Sequence, residues 1–281
     1  VLAMQQFRSC VLDNFQIADQ IYQIRLSGCE LARTIVPGQF VMVRAGHQTD
    51  PLLGRAFALY DVVYDENDDP IAVDLVYQVI GKMTSLMASL QKDQFVDVWG
   101  PLGNGFPVRK TSHLMMVAGG IGQTPFLALA KEYLGIGKYG NPIRESIPTE
   151  TCTLCYGVRN KEQFAGLSDF ESIGVNIQLA TEDGSEGYQG RVTNLAEKII
   201  SQKKNTPDLV IGCGPEPMMA ALAGITREHQ ITCLLSLETP MACGFGACFS
   251  CVTAVLDEQG GWDYRRVCTE GPVFNLSLIH I

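Results

Sequence analysis

The chain predicts a β-barrel joined to an α/β unit. An N-terminal antiparallel barrel is expected over residues 1–106, a parallel-sheet α/β domain over residues 107–237, and a short cysteine-rich segment over residues 238–275. Three observations carry this division. Short apolar or alternating runs broken by Gly, Pro and Asp fill residues 5–100, the pattern of a small antiparallel barrel. From residue 112 to 237 apolar runs alternate with helical patterns, which means βαβ units and a parallel sheet. Beyond residue 237 that rhythm stops and four cysteines crowd together: Cys243, Cys248, Cys251 and Cys268.

Taken in order, residues 21–26 alternate as a strand, and the turn signal Pro37-Gly38 precedes a second at 40–43. Strands over 57–63 and 71–80 flank a polar hairpin loop at 65–70, and residues 82–91 are the one helix expected in the barrel. The run Gly100-Pro101-Leu102-Gly103-Asn104-Gly105-Phe106 marks the boundary. In the second unit, strands are expected near 113–118, 151–157, 175–181, 208–213 and 231–237. Helices are expected near 125–134, 161–170, 192–203 and 215–229, with a surface loop at 138–150. Residues 276–281, Leu-Ser-Leu-Ile-His-Ile, match the translation of a sequencing adapter and read as a non-native tail. The sequon Asn275-Leu276-Ser277 is discounted with them, and Val1 in place of Met leaves a truncated start open.

A net charge of −9 argues against nucleic acid or an anionic membrane as partner. No apolar run is long enough to span a bilayer, and the N-terminus lacks the layout of a signal peptide. The ten cysteines are not spread as a disulfide framework, which favours a reducing, cytoplasmic setting. Cys10, Cys29, Cys213 and Cys233 stand alone in or beside apolar stretches. Cys152 and Cys155 form a C-x2-C, but on an apparent strand they face opposite sides and read as core. His47, His113 and His229 show no triad or metal-ligand spacing.

The C-terminal cysteines follow C-x4-C-x2-C-x16-C. That spacing matches the plant-type [2Fe–2S] pattern, and Gly244 and Gly246 let the backbone turn tightly between the first ligands. A structural zinc site is the competing reading. It fits less well, because zinc ribbons pair two short knuckles whereas here three thiols share one loop.

Two turns suit a nucleotide. Ala118-Gly119-Gly120-Ile121-Gly122-Gln123-Thr124-Pro125 ends one strand and opens a helix, where free N–H groups favour a pyrophosphate. Gly212-Cys213-Gly214-Pro215 repeats that layout, and Thr181-Glu182-Asp183-Gly184 also follows a strand, so all three belong at the ligand edge of an open sheet. In the barrel, Arg55 interrupts an apolar strand and needs an anionic partner such as a phosphate. Gly81-Lys82-Met83-Thr84 opens the helix and forms a second candidate anion site.

The order Arg-x-Phe-Ala, Gly-Lys-x-Thr, Gly-Pro-Leu-Gly-Asn-Gly-Phe, Gly-Gly-Ile-Gly-x-Thr-Pro, Cys-Gly-Pro and then four cysteines resembles the ferredoxin–NADP reductase superfamily. Within it, the chain is similar to the electron-transfer subunits of heteromeric, NAD-dependent (type 1B) dihydroorotate dehydrogenases. The likeness is most specific at Met241-Ala-Cys-Gly-Phe-Gly-Ala-Cys-Phe-Ser-Cys251 and at Val267-Cys-Thr-Glu-Gly-Pro-Val-Phe274. It implies that the barrel binds FAD. Arg55, Ala56, Phe57 and Ala58 would hold the pyrophosphate and ring, Tyr77, Gln78 and Val79 would lie alongside, and Gly81, Lys82, Met83 and Thr84 would cap the phosphates. It implies NAD in the second domain, at Gly119, Gly120, Gly122, Thr124, Asp183, Gly184, Gly214 and Pro215, with Cys213 near the nicotinamide. The four cysteines would hold [2Fe–2S] at the face that meets an FMN-containing catalytic subunit in a heterotetramer. The family usually has Ser or Thr at Ala58, Arg at Gln78 and Gly at Met83.

The implied function is an oxidoreductase subunit of pyrimidine biosynthesis. It would relay electrons between NAD(H), FAD, the cluster and a partner that oxidises dihydroorotate to orotate. No residue of this chain stands out as a general base or nucleophile. No Arg pair follows Arg159-Asn160 to claim a 2′-phosphate, and Arg159 alone leaves NAD against NADP open. The alternatives are the small subunit of an NADPH-dependent ferredoxin or sulfide oxidoreductase, and a zinc-stabilised nucleotide-binding regulator. An oxygenase reductase with a fused ferredoxin domain is disfavoured by the short stretch after residue 237.

Overall fold

A computed structural model describes residues 5–45, 50–202, 206–256 and 261–276. His47 and residues 277–281 lie outside the described residues.

The N-terminal unit is an all-antiparallel, strongly curled sheet. It comprises β1 (Gln5–Ala18), β2 (Ile21–Ser27), α1 (Cys29–Thr34), β3 (Phe40–Arg44), β4 (Arg55–Ala58), β5 (Asp61–Tyr64), β6 (Pro70–Gln78), α2 (Lys82–Ala88) and β7 (Phe95–Leu102). The strand order is β4-β3-β7-β1-β2-β6-β5. The strand expected over 57–63 is in fact two. β4 pairs with β3 at one edge of the sheet and β5 with β6 at the other. Leu59 and Tyr60 span the gap: Leu59 N donates to Gln39 O at 3.0 Å and Tyr60 N to Asp74 O at 3.0 Å. One continuous run, residues 55–64, therefore joins the two ends of the curled sheet and closes the barrel. The helix α1 was not anticipated, because six residues between Gly28 and the Pro37 turn are too few to show a helical period.

The second unit is a parallel sheet wrapped by helices. Its elements are β8 (His113–Gly119), α3 (Phe126–Tyr133), β9 (Thr151–Val158), α4 (Leu167–Ser172), β10 (Asn176–Thr181), β11 (Tyr188–Gln189), α5 (Val192–Ser201), β12 (Leu209–Cys213), α6 (Glu216–Glu228) and β13 (Thr232–Ser236). The order is β11-β10-β9-β8-β12-β13-β16, where β16 (below) is antiparallel to β13. The chain winds outward in both directions from β8 and β12, which creates a switch point between them. The helix expected over 161–170 breaks into a single 3-10 turn, Lys161–Gln163, and the short α4. Asn160 caps the turn by accepting from Glu162 N, and Gly166 at φ 71° interrupts any continuation. The loop at 138–150 is not wholly a surface feature, since Tyr139 is buried within it.

Cys152 and Cys155 are both buried on β9 and belong to the clusters on opposite faces of the sheet. Burial pushes both thiols up to about 12, as expected of inert core residues.

The C-terminal segment carries β14 (Val252–Leu256), β15 (Trp262–Arg266), α7 (Val267–Glu270) and β16 (Val273–Asn275). Asn104, in the motif that marks the boundary, fastens it. Its Nδ2 donates to Glu270 O at 3.1 Å and Val273 O at 3.0 Å, and its Oδ1 accepts from Val273 N at 3.1 Å. Leu276, at the start of the suspected tail, is buried in the core cluster beneath β13.

Replacing Asn104 with Ala should destabilise the protein by about 2 kcal/mol, the loss of several partly solvated hydrogen bonds. Thermal unfolding should shift down by about 4–8 °C, with earlier proteolytic release of the C-terminal segment. An unchanged melting curve and proteolysis pattern would show that Asn104 is no clamp.

Candidate functional site

The residues singled out in the barrel converge on one cavity of about 530 Å³, within the range of cofactor sites. β4 supplies Arg55, Ala56, Phe57 and Ala58; β6 supplies Tyr77 and Gln78; the turn into α2 supplies Gly81, Lys82, Met83 and Thr84. Thr124 and Cys213 face them from the second unit. Val79 does not line the cavity and packs against the barrel core instead.

Arg55 sits exposed at the mouth. Its Nη1 donates to Leu53 O at 3.2 Å and Gly54 O at 3.0 Å, and its other donors have no partner among the described residues. Thr84 is committed locally: its Oγ1 accepts from Ile80 N at 3.0 Å and Gly81 N at 3.1 Å, which caps α2. Lys82 forms an exposed ion pair with Asp50. The opposite wall is Ser236, Leu237, Glu238, Thr239, Pro240 and Met241, none of which the sequence offered as a cofactor contact. Thr239 Oγ1 is buried with no hydrogen-bond partner among the described residues. A hydroxyl left so costs about 1–3 kcal/mol.

A second cavity of about 660 Å³ opens at the switch point. Gly119, Gly120, Gly122, Gly214 and Pro215 line it, together with Arg159, Glu182 and Arg191. Asp183 and Gly184 line neither cavity. The two βα turns press together here: a Cβ on Gly122 would stand 2.3 Å from Cys213 O. That approach needs glycine and leaves backbone N–H groups facing the cavity.

Gln78, Ile80, Ile121 and Glu238 line both cavities, so the two are contiguous. Glu238 is open to their interiors, while the protein surrounding its carboxyl pushes its pKa upward. Cys213 is 2% exposed. Burial first, then the charge of Glu238, hold its thiol well above the ordinary range, against a hydrogen bond from Ser236. It is a neutral thiol on the wall of the first cavity.

The cysteine loop abuts the barrel, where Trp99 Nε1 donates to Cys243 O at 2.8 Å. Gly244 and Gly246 adopt φ 79° and 88°, and a Cβ at Gly244 would lie 2.6 Å from Met42 Cγ. The four thiols lie near enough to bear on one another's ionisation. Cys248, drawn down to about 6, bonds first to the Ser250 hydroxyl and backbone and then to Cys243. Cys268, pushed up to about 12 by burial, bonds to Cys251. No three His, Cys, Asp or Glu side chains among the described residues surround a single ion site. A two-iron cluster takes two thiolates on each metal, and these four thiols supply that number. Beside the loop, Phe245, Phe249, Trp262 and Tyr264 are exposed, with Arg266 stacked over Phe249 at 5.0 Å.

Several contributors eluded sequence reading. Glu238 and Thr239 lie two and three residues beyond β13, where the rule that ligands gather beyond the carboxyl ends of strands points to them; Glu182 directly follows β10, inside the segment placed at that edge from the sequence, where Asp183 and Gly184 were favoured instead.

Gly122→Ala should cost about 1–3 kcal/mol through overpacking against the rigid Cys213 backbone. A lowered melting temperature and lost nucleotide binding are expected; a fully stable variant that binds nucleotide normally would contradict the close approach.

Comparisons with known proteins identify the family. Residues 238–280 match the family model for the iron–sulfur cluster binding domain of dihydroorotate dehydrogenase B, and residues 116–224 match that of the oxidoreductase NAD-binding domain. The dihydroorotate dehydrogenase B (NAD(+)) electron transfer subunit of Bacillus caldolyticus is 36% identical over 270 residues, covering 95% of each chain. That of Caldanaerobacter subterraneus subsp. tengcongensis is 32% identical over 269 residues, covering 96% of each. Among solved structures, an NADH-dependent reduced ferredoxin–NADP oxidoreductase shares the fold at a TM-score of 0.78 and 22% identity, over 96% of this chain and 89% of that one. The chain thus belongs to the family of dihydroorotate dehydrogenase B (NAD(+)) electron transfer subunits.

Proposed function

We propose that the chain relays electrons between NAD(H) in the second cavity, FAD in the first and a [2Fe–2S] cluster on Cys243, Cys248, Cys251 and Cys268. From there they pass to or from an FMN-containing catalytic subunit that interconverts dihydroorotate and orotate. The observation that supports this best is contiguity. One open space runs from the glycine turns through Gln78, Ile80, Ile121 and Glu238 to the barrel wall, and the cysteine loop is tied to that barrel by Trp99. When bound, nicotinamide exchanges electrons as a hydride, the flavin handles them in pairs or singly, and the cluster takes one at a time.

The protein's own part is to place and to insulate. Arg55 offers its free guanidinium donors to the flavin pyrophosphate at the cavity mouth. The backbone N–H groups around Gly119, Gly120 and Gly122 take the nucleotide pyrophosphate. Cys213 presents an uncharged thiol on the wall of the first cavity, so no thiolate competes for the nicotinamide. Gly244 and Gly246 turn the cysteine loop so that thiols from both of its ends approach one another. The partner docks on the exposed aromatic face of Phe245, Phe249, Trp262 and Tyr264, which adjoins the cysteine loop. Ten free thiols fit a cytoplasmic location, and no helix among the described residues is long and apolar enough to cross a membrane.

Two variants separate the parts. Cys248→Ala should lose its iron and cluster absorption yet keep NADH-driven flavin bleaching; loss of both together would count against a separable relay. Arg55→Ala should weaken FAD retention by about tenfold or more, the effect of losing charge-assisted bonds to phosphate. Flavin fluorescence during dilution reads this out, and wild-type retention would remove Arg55 from the site.

A further inference from the structure

A dinucleotide laid across the switch point has two ends. Its nicotinamide must reach the first cavity, whose border with the second is Gln78, Ile80, Ile121 and Glu238. The adenosine half therefore runs the other way, over the carboxyl ends of β9 and β10. Three charged side chains line the cavity there: Arg159, directly after β9, Glu182, directly after β10, and Arg191, at the start of α5. Register sets Arg159 and Glu182 side by side. Thr181 pairs with Val158, and Glu182 N donates to Val158 O at 3.1 Å.

Asp183, the residue that sequence reading favoured, is engaged elsewhere. Its Oδ1 accepts from Ser185 N at 2.9 Å, and its hydrogen bonds with the Ser185 side chain and backbone hold its pKa below the ordinary range. The Glu182 carboxylate has no hydrogen-bond or ion-pair partner among the described residues.

Resting on the nucleotide reading above, we infer that Glu182 is the residue that makes this cavity take NAD(H) and turn away NADP(H). A carboxylate is an acceptor only. The 2′- and 3′-hydroxyls of an unmodified ribose donate to it in charge-assisted hydrogen bonds. A 2′-phosphate at neutral pH offers mostly oxygens and negative charge, so the same carboxylate repels it. Arg159 is the opposing force. Together with Arg191 it would welcome a 2′-phosphate, and the preference is set by the balance between these two cations and Glu182.

Isothermal titration of the purified protein with ADP-ribose and with its 2′-phosphate tests this without any electron transfer. Both probes carry the adenosine half and the pyrophosphate but no nicotinamide. Wild type should prefer ADP-ribose. Glu182→Gln should shrink that preference by about tenfold or more, the worth of a lost charge-assisted contact plus a relieved repulsion. Arg159→Gln should enlarge it, and Asp183→Asn should leave it unchanged. An unaltered preference in Glu182→Gln while both probes still bind would overturn the inference alone, as would a shift carried by Asp183→Asn. Failure of wild type to bind either probe would instead bring down the nucleotide reading, and the inference with it.

Discussion

The structure depends on the run of residues 55–64. Its first half walls the flavin-sized cavity with Arg55, Ala56, Phe57 and Ala58. Its middle closes the barrel by bonding to Gln39 on one side and Asp74 on the other. The same run grips the second unit. Tyr60 OH donates to Asp169 at 2.6 Å, Tyr60 O accepts from Ala128 N at 3.1 Å, and Asp61 takes both Lys131 and Tyr139 OH. Asp61 is buried enough that its pKa rises, although Lys131 and Tyr139 oppose the shift. A buried carboxylate with two partners is costly to break, because removing one partner strands the charge. Cavity wall, barrel closure and domain grip are thus one segment, and the cavities cannot separate without disturbing all three.

Asn104 and Trp99 do for the C-terminal segment what Tyr60 and Asp61 do for the second unit. Both belong to the end of the barrel, yet both spend their side-chain hydrogen bonds on the cysteine-rich segment. The two-stranded hairpin β14–β15 would be marginal by itself. Held this way, it leaves Trp262 and Tyr264 stacked edge to face at 5.3 Å and open to a partner. Positioning of the redox groups therefore rests on the barrel, which contacts every other part.

Much of this was legible in the residues. The alternation of apolar runs and helical patterns after residue 112 is a strong signal, and the parallel sheet follows from it. The cysteine spacing and the glycine turns are local, so they survive without tertiary knowledge. What escaped is what only folding brings together. Glu238 and Thr239 gain meaning because β13 ends opposite a barrel more than a hundred residues away in sequence. Asn104 stood only as part of the boundary run, since its partners at Glu270 and Val273 are invisible locally. Asp183 and Glu182 are indistinguishable by composition, and only the Ser185 turn tells them apart. The same limit applies to Thr84, whose hydroxyl is taken by its own helix rather than offered to a phosphate.

The central claim is that one polypeptide accepts paired reducing equivalents and delivers them singly to bound iron. The most direct measurement is an anaerobic titration of the freshly isolated protein with NADH, followed by visible absorption and electron paramagnetic resonance. The account predicts bleaching of flavin bands and a signal from a reduced two-iron cluster that grows with them. A colourless, iron-free protein, or a flavin that bleaches while intact iron stays oxidised, would contradict it.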